Sequence, residues 1–227
     1  MTDPLYVPER RPIASRERPW FIWLANLLAS MGVSPNTISV MGMIAGVLSG
    51  VALACTRLPT LDWLFFLIGA AFMQLRLLAN MLDGMVALQT SRASPVGELF
   101  NEVPDRISDS AILIGAGYAV GGVPELGYLA ALAALFTAYI RAEGKVAGAH
   151  QEFCGPMAKQ QRMALLTAAA VYAGLAPASW QPQLDFLGDT GDWGVIALAL
   201  LVIAVGGLFT AARRLMRIAR ALGKGKA

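Results

Sequence analysis

The chain has few of the residues that build metal clusters, disulfide frameworks or soluble surfaces. It has two cysteines, Cys55 in an apolar stretch and Cys154 in a polar one, and these settings suit free thiols better than a bridge or a metal motif. Its single histidine, His150, falls in a loop segment and is assigned no catalytic duty. The first apolar run starts well inside the chain, so the pattern of a cleavable signal is missing. No internal repeat is present, and the basic tail is the only biased segment. Charged residues make up 15% of the chain against 56% apolar, and the mean hydropathy is +0.57. Several apolar runs of about 20 residues, joined by short polar connections, mark a polytopic membrane protein rather than a soluble domain.

The pattern predicts an all-α integral membrane protein with six transmembrane helices and an N-terminal interfacial amphipathic helix. The spans are expected at 36–56, 62–88, 97–120, 125–144, 159–176 and 191–221. Residues 1–33 form a basic arm and interfacial helix, 34–221 the membrane domain, and 222–227 a basic tail. In the arm, prolines alternate with Arg10, Arg11, Arg16 and Arg18 before Trp20-Phe-Ile-Trp23, a basic-then-aromatic order suited to an anionic membrane surface. Ser34 followed by Pro35 is a helix start, with proline at the first helical position. Pro104 removes one backbone donor inside the third span, so a kink or local opening is expected there.

Positive charge is scarce on one side of this layout. Connections on that side hold Arg57 as their one basic residue, with Asp62, Glu125, Asp185, Asp189 and Asp192. The other side holds the N-terminal arginines, Arg92, Arg141, Lys145, Lys159, Arg162 and the C-terminal cluster from Arg213 to Lys226. The excess of basic residues places both termini in the cytoplasm.

One stretch holds most of the polar residues found at membrane depth. It reads Asn80-Met-Leu-Asp83-Gly84-Met-Val-Ala87, and continues as Gly97-Glu-Leu-Phe-Asn101-Glu-Val-Pro-Asp105. Asn80 and Asp83 are three residues apart and Asn101 and Asp105 four, so each pair shares one helix face. If the two faces met, four oxygen-bearing side chains would surround one point, a donor set suited to a hard cation such as Mg²⁺ or Mn²⁺. Acids at membrane depth mark either function or a structural hydrogen-bond network between helices.

The stretch resembles the signature of the CDP-alcohol phosphotransferases, Asp-x2-Asp-Gly-x2-Ala-Arg-x8-Gly-x3-Asp-x3-Asp. Asp83, Gly84, Ala87, Gly97 and Asp105 match in identity and spacing, whereas Asn80, Leu88 and Asn101 replace the first Asp, the Arg and the third Asp. The resemblance implies a phospholipid-biosynthesis transferase of the cytoplasmic membrane, with its active site facing the cytoplasm. It would pass a phosphatidyl group from a CDP-linked lipid donor, such as CDP-diacylglycerol, to a small alcohol acceptor and release CMP. It also implies that Asp83, Asp105, Asn80 and Asn101 are metal positions, that Asp105 is also the general base, and that Gly84, Ala87 and Gly97 face the nucleotide. With two carboxylates left, one Mg²⁺ or Mn²⁺ is favoured over two.

Further substrate-binding positions are Arg76, Asp109, Arg141, Lys159 and Arg162. Asp105-Arg106-Ile-Ser-Asp109 looks like the Asp-Arg-x2-Asp run of inositol-phosphate-using members. Tyr139-Ile-Arg141-Ala and Gly155-Pro-Met-Ala-Lys159-Gln-Gln-Arg162 resemble two further family segments, with Lys159 in place of an Arg. Basic residues at a helix start favour a phosphate or carboxylate. Arg76, four residues before Asn80, either supplies positive charge where a second ion would sit or pairs with Asp83 or a group on the sixth helix. Arg92 is either a substitute for the arginine missing at Leu88 or an ordinary loop charge. Glu102 is solvated or paired with Arg106. Membrane lipids are expected partners and nucleic acid is not, and a homodimer is left open. Two other readings stay open: a member that binds nucleotide or lipid without turnover, and a transporter.

Overall fold

A computed structural model describes residues 18–58, 60–90, 95–185 and 192–224. Arg10, Arg11, Arg16, Arg92, Asp189 and Lys226 lie outside these residues. The described chain is built of α1 (Pro19–Ser30), α2 (Pro35–Ala54), α3 (Asp62–Gln89), α4 (Pro95–Gly117), α5 (Pro124–Val146), α6 (Lys159–Leu175) and α7 (Val195–Lys224). A two-residue antiparallel pair, β1 (Leu184–Asp185) and β2 (Asp192–Trp193), precedes α7.

Local chemistry explains the helix starts. Ser34 Oγ accepts from the Thr37 N–H at 3.1 Å and Pro35 fills the first helical position, so α2 begins where the sequence places it. The third expected span was to reach Val120 but stops at Gly117. The chain then turns at Gly121, whose φ of +66° suits glycine. The Gly121 carbonyl accepts from the N–H groups of Gly194 and Ala197, at 3.0 and 2.9 Å. This contact and the β1–β2 pair hold the preceding chain extended, so α7 starts at Val195 and not at Gly191. Through Pro104, α4 runs as one continuous helix.

Among the described residues, four helices are long and apolar enough to cross a membrane: Pro35–Arg57, Asp62–Gln89, Pro124–Val146 and Val195–Gly223. These match four of the six expected spans, and α4 and α6 are not among them. The signature polar residues dilute the apolar content of α4, and the 17 residues of α6 reach only about 26 Å. Large apolar side chains stay exposed on the outer faces of the long helices, including Ile44, Val51, Leu132, Phe136, Val205 and Phe209. A water-soluble monomer rarely exposes so much contiguous apolar surface, whereas lipid is its natural cover.

Packing follows the small residues. Gly42, Gly46 and Gly50 form a stripe at four-residue spacing on α2. A Cβ on Gly46 would lie 2.4 Å from Ser108 Cβ, and one on Gly50 would lie 2.2 Å from the Ala111 carbonyl oxygen. A Cβ on Gly42 would lie 2.9 Å from Ala79 Cβ, so Gly42 admits α3, while Gly46 and Gly50 let α4 lie directly on α2, as small residues do between membrane helices. We expect Gly50→Ala to cost about 3 kcal/mol, because the opposing atom is backbone and cannot rotate away. The check is a lowered Tm of the detergent-solubilised protein. Gly223→Ala, with open space around it, should leave Tm unchanged.

The main core lies among α3, α4, α5, α6 and α7, around Met73, Ile112, Leu113, Met163, Leu166, Leu200 and Ile203. A second cluster joins α1 to α3 through Ala25, Met81, Leu82, Met85 and Val86, with Ile38 of α2. Trp20 and Trp23 stack at 5.2 Å and stay exposed on α1. Both Cys55 and Cys154 are free thiols.

Candidate active site

The glycine stripe on α2 brings α3 and α4 to one place, and the polar side chains of both helices meet there. Arg76 of α3 is buried to 1% exposure and turns its guanidinium onto α4. Its Nε donates to Ser108 Oγ at 2.9 Å and its Nη2 to Asp105 Oδ1 at 2.8 Å. The same Nη2 lies 2.9 Å from Asp109 Oδ1. Asn80 lies one turn along α3. Its Nδ2 donates to Asp105 Oδ1 at 2.8 Å and to Asn101 Oδ1 at 3.0 Å.

Lys159 reaches this group from the first residue of α6. Its ammonium pairs with Asp105 Oδ2 and donates to Asn80 Oδ1 at 3.2 Å. Arg162, one turn further along α6, lies 3.5 Å from Asp109 Oδ2 and donates through Nη1 to the Met157 carbonyl at 3.0 Å. Charges therefore alternate along a line: Lys159, Asp105, Arg76, Asp109, Arg162. Such a line is sustained at low dielectric because each charge faces an opposite one, where a lone ion would be costly.

Asp83 stands apart from this line. It is 3% exposed, and its Oδ2 accepts from Ser39 Oγ of α2 at 2.6 Å. Its Oδ1 is buried without a hydrogen-bond partner among the described residues. Asp83 and Ser39 line a small cleft together with Gly42, Met43, Arg76, Asn80, Pro104, Asp105 and Ser108. The expectation of four side-chain oxygens around one point is thus corrected. Asn80, Asn101 and Asp105 are bonded to one another, because an amide can donate where a carboxylate would only repel. Asp83 binds α2 instead.

For Arg76, the pairing with Asp83 or a sixth-span group is corrected: its Nε and Nη2 are taken by Ser108, Asp105 and Asp109, so its positive charge does meet the signature acid Asp105, and the cation touching Asn80 is Lys159. Arg141 reaches α4 through Glu102 at 2.5 Å and lies over the Phe153 ring at 5.5 Å. Glu102 also holds Arg106 at 2.8 Å. Gly84 and Ala87 are buried on α3 and Gly97 sits near the start of α4, none of them lining the cleft. Ser39 and Ser108 went unnoticed in the sequence, because a buried serine in a helix carries no periodic signal that separates it from an ordinary packing residue.

Among the described residues, no three His, Cys, Asp or Glu side chains are grouped to hold a metal ion. The chemistry of the donor set nevertheless fits one hard cation. Among the described residues Asp83 Oδ1 is an orphaned buried atom, and Ser39, Asn80 and Asp105 line the same cleft as Asp83. A group of this kind is costly unless something meets it. Three cations (Arg76, Lys159, Arg162) balance three carboxylates (Asp83, Asp105, Asp109), so one divalent ion would leave the cluster at +2.

No protein-family model matches the chain. Individual relatives do. An archaetidylinositol phosphate synthase of Aeropyrum pernix is 32% identical over 152 residues, 65% of this chain and 72% of that protein. The chain belongs to the CDP-alcohol phosphatidyltransferase family. It is accordingly a transferase of the CDP-alcohol class. A phosphatidylinositol phosphate synthase of Streptomyces avermitilis is 27% identical over 202 residues, 86% of this chain and 76% of that protein. The fold is that of the Mycobacterium tuberculosis phosphatidylinositol phosphate synthase. Its crystal structure with CDP-DAG bound gives a TM-score of 0.67 at 18% identity, covering 87% of this chain and 92% of that one. A second structure of the mycobacterial enzyme is in complex with manganese and citrate. Within the CDP-alcohol phosphatidyltransferase signature, this chain has two acids where the pattern has four.

Proposed function

We propose that the protein transfers a phosphatidyl-type group from a CDP-linked lipid to the hydroxyl of a small alcohol, releasing CMP at the cytoplasmic face of the membrane. The observation that carries this reading is the buried meeting of Asn80, Asn101 and Asp105, with the Asp83 cleft beside them, at the family's signature positions. The names of the relatives favour inositol phosphate as acceptor, and the Asp105-Arg106-x-x-Asp109 run agrees with it. The basic residues gathered toward one side support an inward-facing site, and the exposed Trp20 and Trp23 support an α1 lying at the lipid surface. By the same reasoning α4 and α6 complete a six-span domain with the four long helices.

Chemically, the acceptor hydroxyl attacks the phosphorus that bears the lipid, a new P–O bond forms, and the P–O bond to CMP breaks. Asp105 is the assigned base. Arg76, Asn80 and Lys159 all bond its carboxylate and fix its position. A strong base is not required, because phosphoryl transfer passes through a loose transition state in which the nucleophile keeps its proton late. Arg76 and Lys159 hold Asp105 in place and present positive charge to the diphosphate. Gly84 and Ala87 of α3 and Gly97 of α4 keep the nucleotide side free of bulk. Asp83 would hold the divalent ion, which when bound offsets charge on the phosphate oxygens.

CMP release from CDP-diacylglycerol and inositol phosphate tests the reading. We expect release that needs both substrates, is lost with EDTA, and returns with Mg²⁺ or Mn²⁺. Nucleotide-lipid binding without CMP release, with every polyol phosphate tried, would overturn it. Such a result would favour a binding protein, a reading that the replaced acids at Asn80 and Asn101 support.

A further inference from the structure

We propose that Lys159 is a tethered cation. It fills one of two cation positions between α3 and α4 and leaves the chain a single divalent-ion position at Asp83. This rests on the transferase reading only in taking a divalent ion as the cofactor.

The argument begins from charge. Four acids at positions 80, 83, 101 and 105 would need about two divalent ions to be neutralised at low dielectric. This chain keeps Asp83 and Asp105, and a lysine ammonium sits on one of them. The ammonium is bound as an ion would be, by a carboxylate oxygen of α4 and an amide oxygen of α3. It also fixes the direction of the Asn80 amide. With Oδ1 on the ammonium, Nδ2 faces Asp105 and Asn101 as a donor, whereas the flipped amide would set N–H₂ against Lys159 and oxygen against a carboxylate. Asn80, Asn101 and Lys159 therefore form one self-consistent unit. An aspartate at position 80 or 101 would break it.

The second position is of a different kind. Asp83 lines the cleft and its Oδ1 is buried, and among the described residues it has no hydrogen-bond partner and no side-chain cation seated on it. The cluster is neutral as it stands, so one divalent ion gives +2, the charge a bound diphosphate diester cancels. A second ion would leave about +2 uncompensated at membrane depth.

Counting bound Mn²⁺ on the purified full chain in detergent, by EPR of the free ion, decides the matter without an activity measurement. Four forms are compared: the wild type, Lys159→Met, Asn80→Asp/Asn101→Asp, and the triple combination. We expect one ion in the wild type and two in the triple variant. The second ion should bind the lysine-bearing double variant at least about tenfold more weakly than the triple. Equal stoichiometry and affinity in double and triple variants would overturn the role of Lys159. If the wild type bound no ion, the cofactor reading at Asp83 would fall, while the double–triple difference would still decide Lys159. Should the triple variant not fold, Lys159→Met alone carries the test. Freeing Asp105 and Asn80 should raise Mn²⁺ affinity about tenfold, and an unchanged affinity would overturn the proposal.

Discussion

Asp83→Asn is expected to lower CMP release by about a hundredfold or more while leaving the protein as stable as before or slightly more so. The two effects separate because of how Asp83 is held. Ser39 Oγ donates to Oδ2 at 2.6 Å, and an asparagine oxygen accepts the same bond, so the link between α2 and α3 persists. Oδ1, in contrast, is buried with no hydrogen-bond partner among the described residues. Neutralising the carboxylate removes a desolvation cost from the resting protein and, with it, the charge proposed to draw the divalent ion. Activity and Tm should therefore move independently. Near-normal turnover in Asp83→Asn would exclude Asp83 as a metal ligand. Ser39→Ala provides the contrast, because it keeps the charge and removes the bond.

Arg76→Leu is expected to destabilise the fold by about 3–5 kcal/mol. Arg76 is fully buried and faces two carboxylates of α4. Without it, Asp105 keeps Lys159 and Asn80, but Asp109 keeps only Arg162 at 3.5 Å among the contacts described. The penalty comes chiefly from the stranded Asp109 charge and not from a lost attraction. Arg76→Leu/Asp109→Leu should accordingly recover part of the loss, with a coupling of about 0.5–3 kcal/mol. Thermal melting of the four proteins in one detergent provides the measurement. Additive losses would show that Arg76 acts through packing alone.

The buried salt-bridge line also gives meaning to the departures from the family signature. Asn80 and Asn101 remove two charges, and Lys159 sits where its ammonium can bond both Asn80 and Asp105. These three features are consistent with one another, since each is favourable only while the others are present. The two carboxylate oxygens of Asp105 accept from Arg76, Asn80 and Lys159.

By itself the sequence determined the membrane class, the start of α2 and the family. Hydropathy, a Ser-Pro helix start and a spaced signature are each local or nearly local, and each acts in the same way wherever the chain goes. It also determined that Asn80 and Asp83, and Asn101 and Asp105, lie on shared faces, because helical periodicity dictates that. It could not say that Asp83 would turn to Ser39, 44 residues away, or that Lys159, 79 residues beyond Asn80, would reach the signature. Nor could it choose Asp105 and Asp109 for Arg76, since Asp83 stood nearer in the chain. Those outcomes depend on which helices touch. That was settled by the Gly42, Gly46 and Gly50 stripe, which lets α3 and α4 both settle on α2, and by the docking of α6 against α3. Pairing between distant charges has no sequence period, and only close packing of the helices decided it.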